Sequence, residues 1–321
     1  MKSATSTSAM LGSLILAACF AAAPQSASAQ DAAKAPRKDM VLKGDANCTR
    51  CHDENEEVPV LAIGKTKHGT VADGRTPTCT SCHGESDTHA NKPADARERP
   101  KPTRVFGRKS STPSDVQNQA CLTCHQGDPQ RIHWQSSVHA SQDLSCSSCH
   151  KVHTGHDAVR DRITQPQVCF TCHKDKRVQI NKPSRHPVLE GKVSCSDCHN
   201  PHGNNPKQMV KASVVETCYT CHLEKRGPFV HNHQPVTEDC SICHNPHGST
   251  IANLLKSRPP FLCQDCHGTS GHRSQSAGLP TGRTNSTALL GTVGRGCLTC
   301  HTNIHGSNST QDAATVGRFR R

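Results

Sequence analysis

The sequence predicts a mostly coil chain with short α-helices and little or no β structure, folded round a core that its own side chains do not supply. Three observations carry that expectation. Hydrophobic residues make up 32% of the 321 residues and aromatics 2%, with one Trp, one Tyr and six Phe, too few to anchor a large apolar interior. The 22 Gly and 20 Pro interrupt long helices. Yet there are 21 Cys and 23 His. By the rest of its composition the chain reads as half disordered, so whatever these two residue types bind must fill the interior.

From the N-terminus, residues 1–29 read as a signal peptide and stand apart from the fold. Lys2 supplies the positive end, Ala9–Ala23 is apolar, and Ala27-Ser28-Ala29 fits a small-residue cleavage site before Gln30. Leu16-Ala17-Ala18-Cys19 also fits a lipobox, which would make the protein a lipoprotein through Cys19. The apolar run continues past it through Phe20 to Ala23, which favours simple cleavage. Export to a bacterial periplasm follows. No later apolar run of about 20 residues exists, so no membrane-spanning helix is expected.

Simple cleavage leaves 20 Cys, and they fall into ten pairs with two residues between, each followed at once by His. The first five are Cys48-Cys51-His52, Cys79-Cys82-His83, Cys121-Cys124-His125, Cys146-Cys149-His150 and Cys169-Cys172-His173. The second five are Cys195-Cys198-His199, Cys218-Cys221-His222, Cys240-Cys243-His244, Cys263-Cys266-His267 and Cys297-Cys300-His301. Two thiols one helical turn apart can add to the two vinyl groups of one haem, and the adjacent imidazole then reaches the iron as proximal ligand. Disulfides and zinc ribbons tolerate Cys pairs at this spacing, but neither requires the His that follows every pair.

The expected cofactors are therefore ten covalently bound haem c groups, and the fold class is a multihaem c-type cytochrome with an elongated stack of ten haems as its core. Successive first Cys lie 31, 42, 25, 23, 26, 23, 22, 23 and 34 residues apart, an internal repeat loosened at two points. So little polypeptide separates the haems that each must touch its neighbours.

Thirteen His remain for the distal side of the irons. One follows the second motif of each successive pair: His89, His153, His202, His247 and His305. Another lies between the two motifs of each pair: His68, His139, His186, His233 and His272. His153, His202 and His247 sit three residues past a proximal His. They cannot loop round to the far face of their own haem, so each is expected to ligate a different one. His133, His156 and His231 are spare, with His231 a possible replacement for His233.

The mature chain holds only Met40 and Met209, so Met could serve at most two haems, and His on both faces predicts low-potential six-coordinate iron. Filled on both faces, a haem passes electrons and offers no open catalytic position. The chain is expected to be an electron-transfer protein with no catalytic residue.

The gap Asn91–Ala120 is rich in Pro and basic residues and reads as a solvated linker or as a contact for an acidic surface. The gap Gly268–Gly296 reads as a loop, and the basic tail Arg318-Phe319-Arg320-Arg321 as mobile. Net charge is +12, from 38 basic and 26 acidic residues, and Lys2 leaves with the signal. Ten ferric haems with ionised propionates add roughly −10, so the basic excess balances propionates and no nucleic-acid partner is expected.

Ten motifs with strings such as His199-Asn200-Pro201-His202-Gly203 and His244-Asn245-Pro246-His247-Gly248, together with His133-Trp134-Gln135-Ser136-Ser137-Val138-His139, resemble the periplasmic decahaem cytochromes of the MtrA, MtoA, PioA and DmsE family. The resemblance spans nearly the whole mature chain. It implies two five-haem halves, 30–190 and 191–321, with His on both faces of each haem.

It further implies a wire seated in an outer-membrane β-barrel porin, exchanging electrons with periplasmic or inner-membrane cytochromes and with an extracellular multihaem cytochrome. Extracellular iron redox chemistry, Fe(II) oxidation or Fe(III) reduction, is the shared role. A soluble periplasmic shuttle to a reductase, as in dimethyl sulfoxide respiration, and a multihaem reductase are the competing readings.

Overall fold

The structure is a computed structural model that describes residues 45–53, 55–69, 76–267, 297–299, 301–310 and 319. The signal segment with Cys19, the gap Gly268–Gly296 with His272, and Cys300 lie outside the described residues. The chain divides into a unit of residues 1–39 and one of residues 40–321, and every described residue belongs to the second.

Coil linked by short helical pieces makes up the described residues, with no β-strand among them. The longest helix among the described residues is Ser114–His125 at 12 residues. Each of the first nine Cys-x-x-Cys-His motifs forms a helical turn, in which the amide of the His donates to the carbonyl of the first Cys. That bond is 2.9 Å at His150, 3.0 Å at His173 and 3.1 Å at His244. The turn puts both thiols, three residues apart, on one side.

Odd and even motifs reach that turn differently. The third closes the helix Ser114–His125, and the fifth and seventh end the helices Gln165–Phe170 and Val214–Tyr219. Even motifs are opened by a cap residue instead: Thr78, Ser145 and Ser194 each form a capping box with a residue three positions on. The members of a pair are then clamped together. Asp45 Oδ1 accepts from the Cys79 amide at 2.9 Å, Asn118 Oδ1 from the Cys146 amide at 2.7 Å, and Gln165 Oε1 from the Ser196 amide at 3.1 Å.

Side-chain packing is sparse. The buried apolar cluster is Phe170, Ile180 and Val188 with Val193 against it, and Trp134, Met209 and Val215 are buried elsewhere. So small a core cannot organise a chain of this length by itself.

One expectation needs correction. The segment after Asn91 does not run as a solvated linker. The amide and carbonyl of Arg104 bond the carbonyl and Nδ1 of His83 at 3.0 and 2.9 Å, the Pro100 carbonyl accepts from His89 Nδ1 at 2.7 Å, and Phe106 lies edge-on to His83. A Pro-rich chain makes few backbone bonds of its own, so its carbonyls are free to accept from imidazoles. The rest of the tail lies outside the described residues, and Phe319, the one described, accepts from the Asn303 amide at 2.8 Å and packs edge-on against His233.

Candidate haem sites

Nine of the motif imidazoles each face one imidazole from outside the motifs. The pairs are His52–His89, His68–His125, His83–His153, His139–His173, His150–His202, His186–His222, His199–His247, His233–His267 and His244–His305. Their ring centres lie between 5.9 Å, as in His52–His89, and 6.3 Å, as in His186–His222. Metal–imidazole bonds of about 2 Å, with each ring centre roughly 1 Å behind its nitrogen, would put two axial imidazoles about 6 Å apart across one metal ion.

The spacing therefore fits an iron held between the two rings of every pair. His301, the remaining proximal residue, is described, whereas His272 is not. His231 is not paired with a motif ring. Its Nε2 bonds the Ser309 carbonyl at 3.1 Å, while His233 faces His267.

The ring planes also differ along the chain. They are near-parallel for His150–His202 (19°), His199–His247 (10°) and His244–His305 (18°). For His68–His125 and His139–His173 they stand at 77°, and for His186–His222 at 55°.

Several of the rings are oriented from behind. His139 Nδ1 donates to the Pro201 carbonyl at 3.0 Å, His186 Nδ1 to Pro246 at 2.8 Å, and His153 Nδ1 to Val60 at 3.0 Å. Occupying Nδ1 leaves Nε2 for a metal and fixes the tautomer. His199 and His244 donate to the carbonyls of Lys207 and Asn253 at 3.1 and 2.8 Å. Both acceptors, with Gln208 and Leu254 after them, take left-handed backbone at φ between 54° and 60°, a strained choice for such residues that turns those carbonyls back to the rings.

The Asn-Pro-His-Gly strings serve several sites at once. Asn200 Oδ1 accepts from the His202 amide at 3.1 Å, and Asn245 Oδ1 from that of His247 at 3.3 Å, an Asx turn in each case. His202 then faces His150, Pro201 supports His139, and His199 faces His247, so three residues of one string serve three ring pairs. Trp134 packs edge-on to His202 at 5.9 Å. Burial, with the neighbouring His150 and Arg131 behind it, holds the His202 imidazole down at about 4. Burial, then Lys176 and His199, does the same to His247. Both rings stay neutral and keep the lone pair a metal needs.

The cysteines link the motifs in order. Hydrogen bonds shared between first cysteines join Cys121 to Cys146, Cys169 to Cys195 and Cys218 to Cys240, raising the pKa of the first thiol of each and lowering that of the second. Burial leads the rise of Cys79 to about 12, with a bond to Cys48 among the further causes. Between pairs, burial leads the rise of the Cys82, Cys149, Cys198 and Cys243 thiols, with a neighbouring motif's cysteines among the further causes: Cys121 and Cys124 at Cys82, Cys172 at Cys149, Cys221 at Cys198 and Cys266 at Cys243.

No described cysteine is in a disulfide, and among the described residues no three or more His, Cys, Asp or Glu side chains gather round one point as a zinc site would require. Sequence reasoning did not find the groups behind the rings, namely the Pro100, Arg104, Pro201 and Pro246 carbonyls and the carboxylates of Glu56 and Asp157. The Asn-Pro-His-Gly strings were the only signal available for any of them.

The family model described as a doubled CXXCH motif matches residues 186–227 and 233–272, and that of the cytochrome c-type protein NrfB-like family matches 79–164. The chain is 32% identical over 200 residues to the cytochrome c-type protein NrfB of Haemophilus influenzae, covering 54% of this chain and 86% of that protein. It is 37% identical over 275 residues to the multiheme cytochrome MtrA of Shewanella baltica, covering 83% of this chain and 79% of that one. With ring pairs spaced for iron and motifs built to bind haem c covalently, the chain belongs to the MtrA family of multihaem cytochromes, proteins of electron transfer.

Proposed function

We propose that the protein carries ten haem c groups, each iron held between a proximal and a distal imidazole, as a periplasmic conduit that moves electrons across the outer membrane inside a β-barrel porin. The single observation that supports this best is the pairing of rings: nine motif imidazoles each face a second imidazole at 5.9 to 6.3 Å between ring centres, the spacing of two axial ligands across one iron. Haem iron supplies a one-electron ferric–ferrous couple. The residues set where each couple sits, which nitrogens face it and how closely the next one follows.

The ligand pairs obey one rule. Odd motifs from the third onward take the His between the two motifs of the preceding pair, and even motifs take the His after the following pair. At the start that rule leaves His89 over, and it faces His52. His272, outside the described residues, stays the candidate for the remaining motif.

Irregular backbone crosses a hydrocarbon layer of about 30 Å only if it is shielded inside protein, and that is the argument for a barrel. Extracellular iron, oxidised or reduced, is the proposed substrate pool. Periplasmic or inner-membrane cytochromes are the proposed partners at one end, and an extracellular multihaem cytochrome at the other.

The test encloses a reducible dye in liposomes carrying the cytochrome with or without its candidate barrel, with a reductant outside. Dye reduction only when both proteins are present is expected. No transfer from haem-loaded cytochrome in a bound barrel would contradict the conduit and leave a soluble shuttle.

A further inference from the structure

Two imidazoles have a carboxylate behind them where others have a backbone carbonyl. His83, His139, His199 and His244 donate Nδ1–H to carbonyl oxygens. By contrast, His150 Nδ1 is 2.7 Å from Asp157 Oδ2, and His52 Nδ1 is 2.9 Å from both oxygens of Glu56. At His222 the Glu224 carboxylate is 3.6 Å away, too far for a hydrogen bond.

The two close carboxylates are not equivalent. The Asp157 side chain is 18% exposed, against 38% for Glu56. Asp157 is also fixed on its other oxygen, which accepts from the Lys151 amide at 3.2 Å, and the Lys151 ammonium is turned away to the Ser147 carbonyl at 3.0 Å.

We propose that Asp157 is the potential-setting residue of the fourth motif, holding its haem at a lower potential than its neighbours. The assignment rests on the reading of His150 as an axial ligand. A carboxylate that accepts the Nδ1 proton makes the imidazole a stronger donor to the metal, which favours the ferric over the ferrous state. Its full negative charge acts in the same direction, and half-burial weakens its screening by water. Glu56 does the same for the first motif, more weakly because it is more exposed.

For electrons passing between the third and fifth motifs, the fourth site is then a step to be climbed rather than a resting place. The couple is one electron per iron, and no proton needs to leave the His150–Asp157 pair.

A spectroelectrochemical titration of the haem-loaded protein tests this. Asp157→Asn keeps shape and a hydrogen-bond acceptor but removes the charge. One haem's share of the absorbance change is expected to move to higher potential, with a smaller move in Glu56→Gln. A titration of Asp157→Asn that superimposes on the unmodified protein overturns the proposal. Asp157→Ala tests a merely structural role: haem loss or high-spin iron that Asn rescues with no change in potential would overturn it as well. The ligand reading is checked apart from these, since a high-spin haem in the unmodified protein would sink that reading first. A fully low-spin spectrum with an unshifted potential would sink only the role of Asp157.

Discussion

His202→Ala is expected to leave one haem per molecule high-spin and open to added carbon monoxide, with the others unchanged. His202 follows the sixth motif, yet its ring faces His150 of the fourth at 6.1 Å, near-parallel at 19°. Removing it takes the second nitrogen from that iron while the proximal bond and both thioether anchors remain. The spare His133 supplies the control, and His133→Ala is expected to keep all haems low-spin. Visible absorption of the ferric protein and carbon monoxide difference spectra of the ferrous protein read the result. A fully low-spin His202→Ala protein would contradict the cross-motif pairing, and so would loss of the haem at the sixth motif instead of a changed one at the fourth.

The second large effect is on stability. Gly203 and Gly248 hold the same place in the two Asn-Pro-His-Gly strings, but they differ in surroundings. Gly248 has φ +150°, and a Cβ there would lie 2.0 Å from the Gln179 carbonyl oxygen, a backbone atom with nowhere to go. Its neighbour Ser249 bonds Ser184 in both directions, at 2.8 and 3.1 Å, so the strap cannot swing aside cheaply. A Cβ on Gly203 meets only the Asn200 side chain, at 2.8 Å. Gly248→Ala is expected to destabilise the protein by roughly 3 kcal/mol and Gly203→Ala by less than 1 kcal/mol, read as a larger fall in melting temperature for the first. Equal falls in the two variants would contradict the close approach to Gln179.

Much of the fold was legible because covalent haem attachment has a local signature. Cys-x-x-Cys-His lies within one turn, and its ten repeats explain a chain with too few aromatics for an ordinary core. Short helices in coil follow from Gly, Pro and the repeat length. The pairing of rings was not legible. His68 and His125, or His83 and His153, are far apart in sequence, and nothing in spacing says which rings meet. The basic Pro-rich stretch was misjudged because charge and Pro content describe side chains, whereas its work is done by the backbone carbonyls of Pro100 and Arg104 behind two imidazoles. Asp157 carries no signal either: it is one carboxylate seven residues past a His, and only the fold aims it at Nδ1.

The central claim is that paired imidazoles fill both faces of every haem. Near-infrared magnetic circular dichroism of the ferric protein, with haem counted on the same sample by mass, tests it most directly. Ten haems per chain, all low-spin with the charge-transfer band of two histidine ligands, is the predicted result. A band from Met or a high-spin fraction of even one haem would contradict the pairing, and fewer than ten haems in fully matured protein would contradict the count.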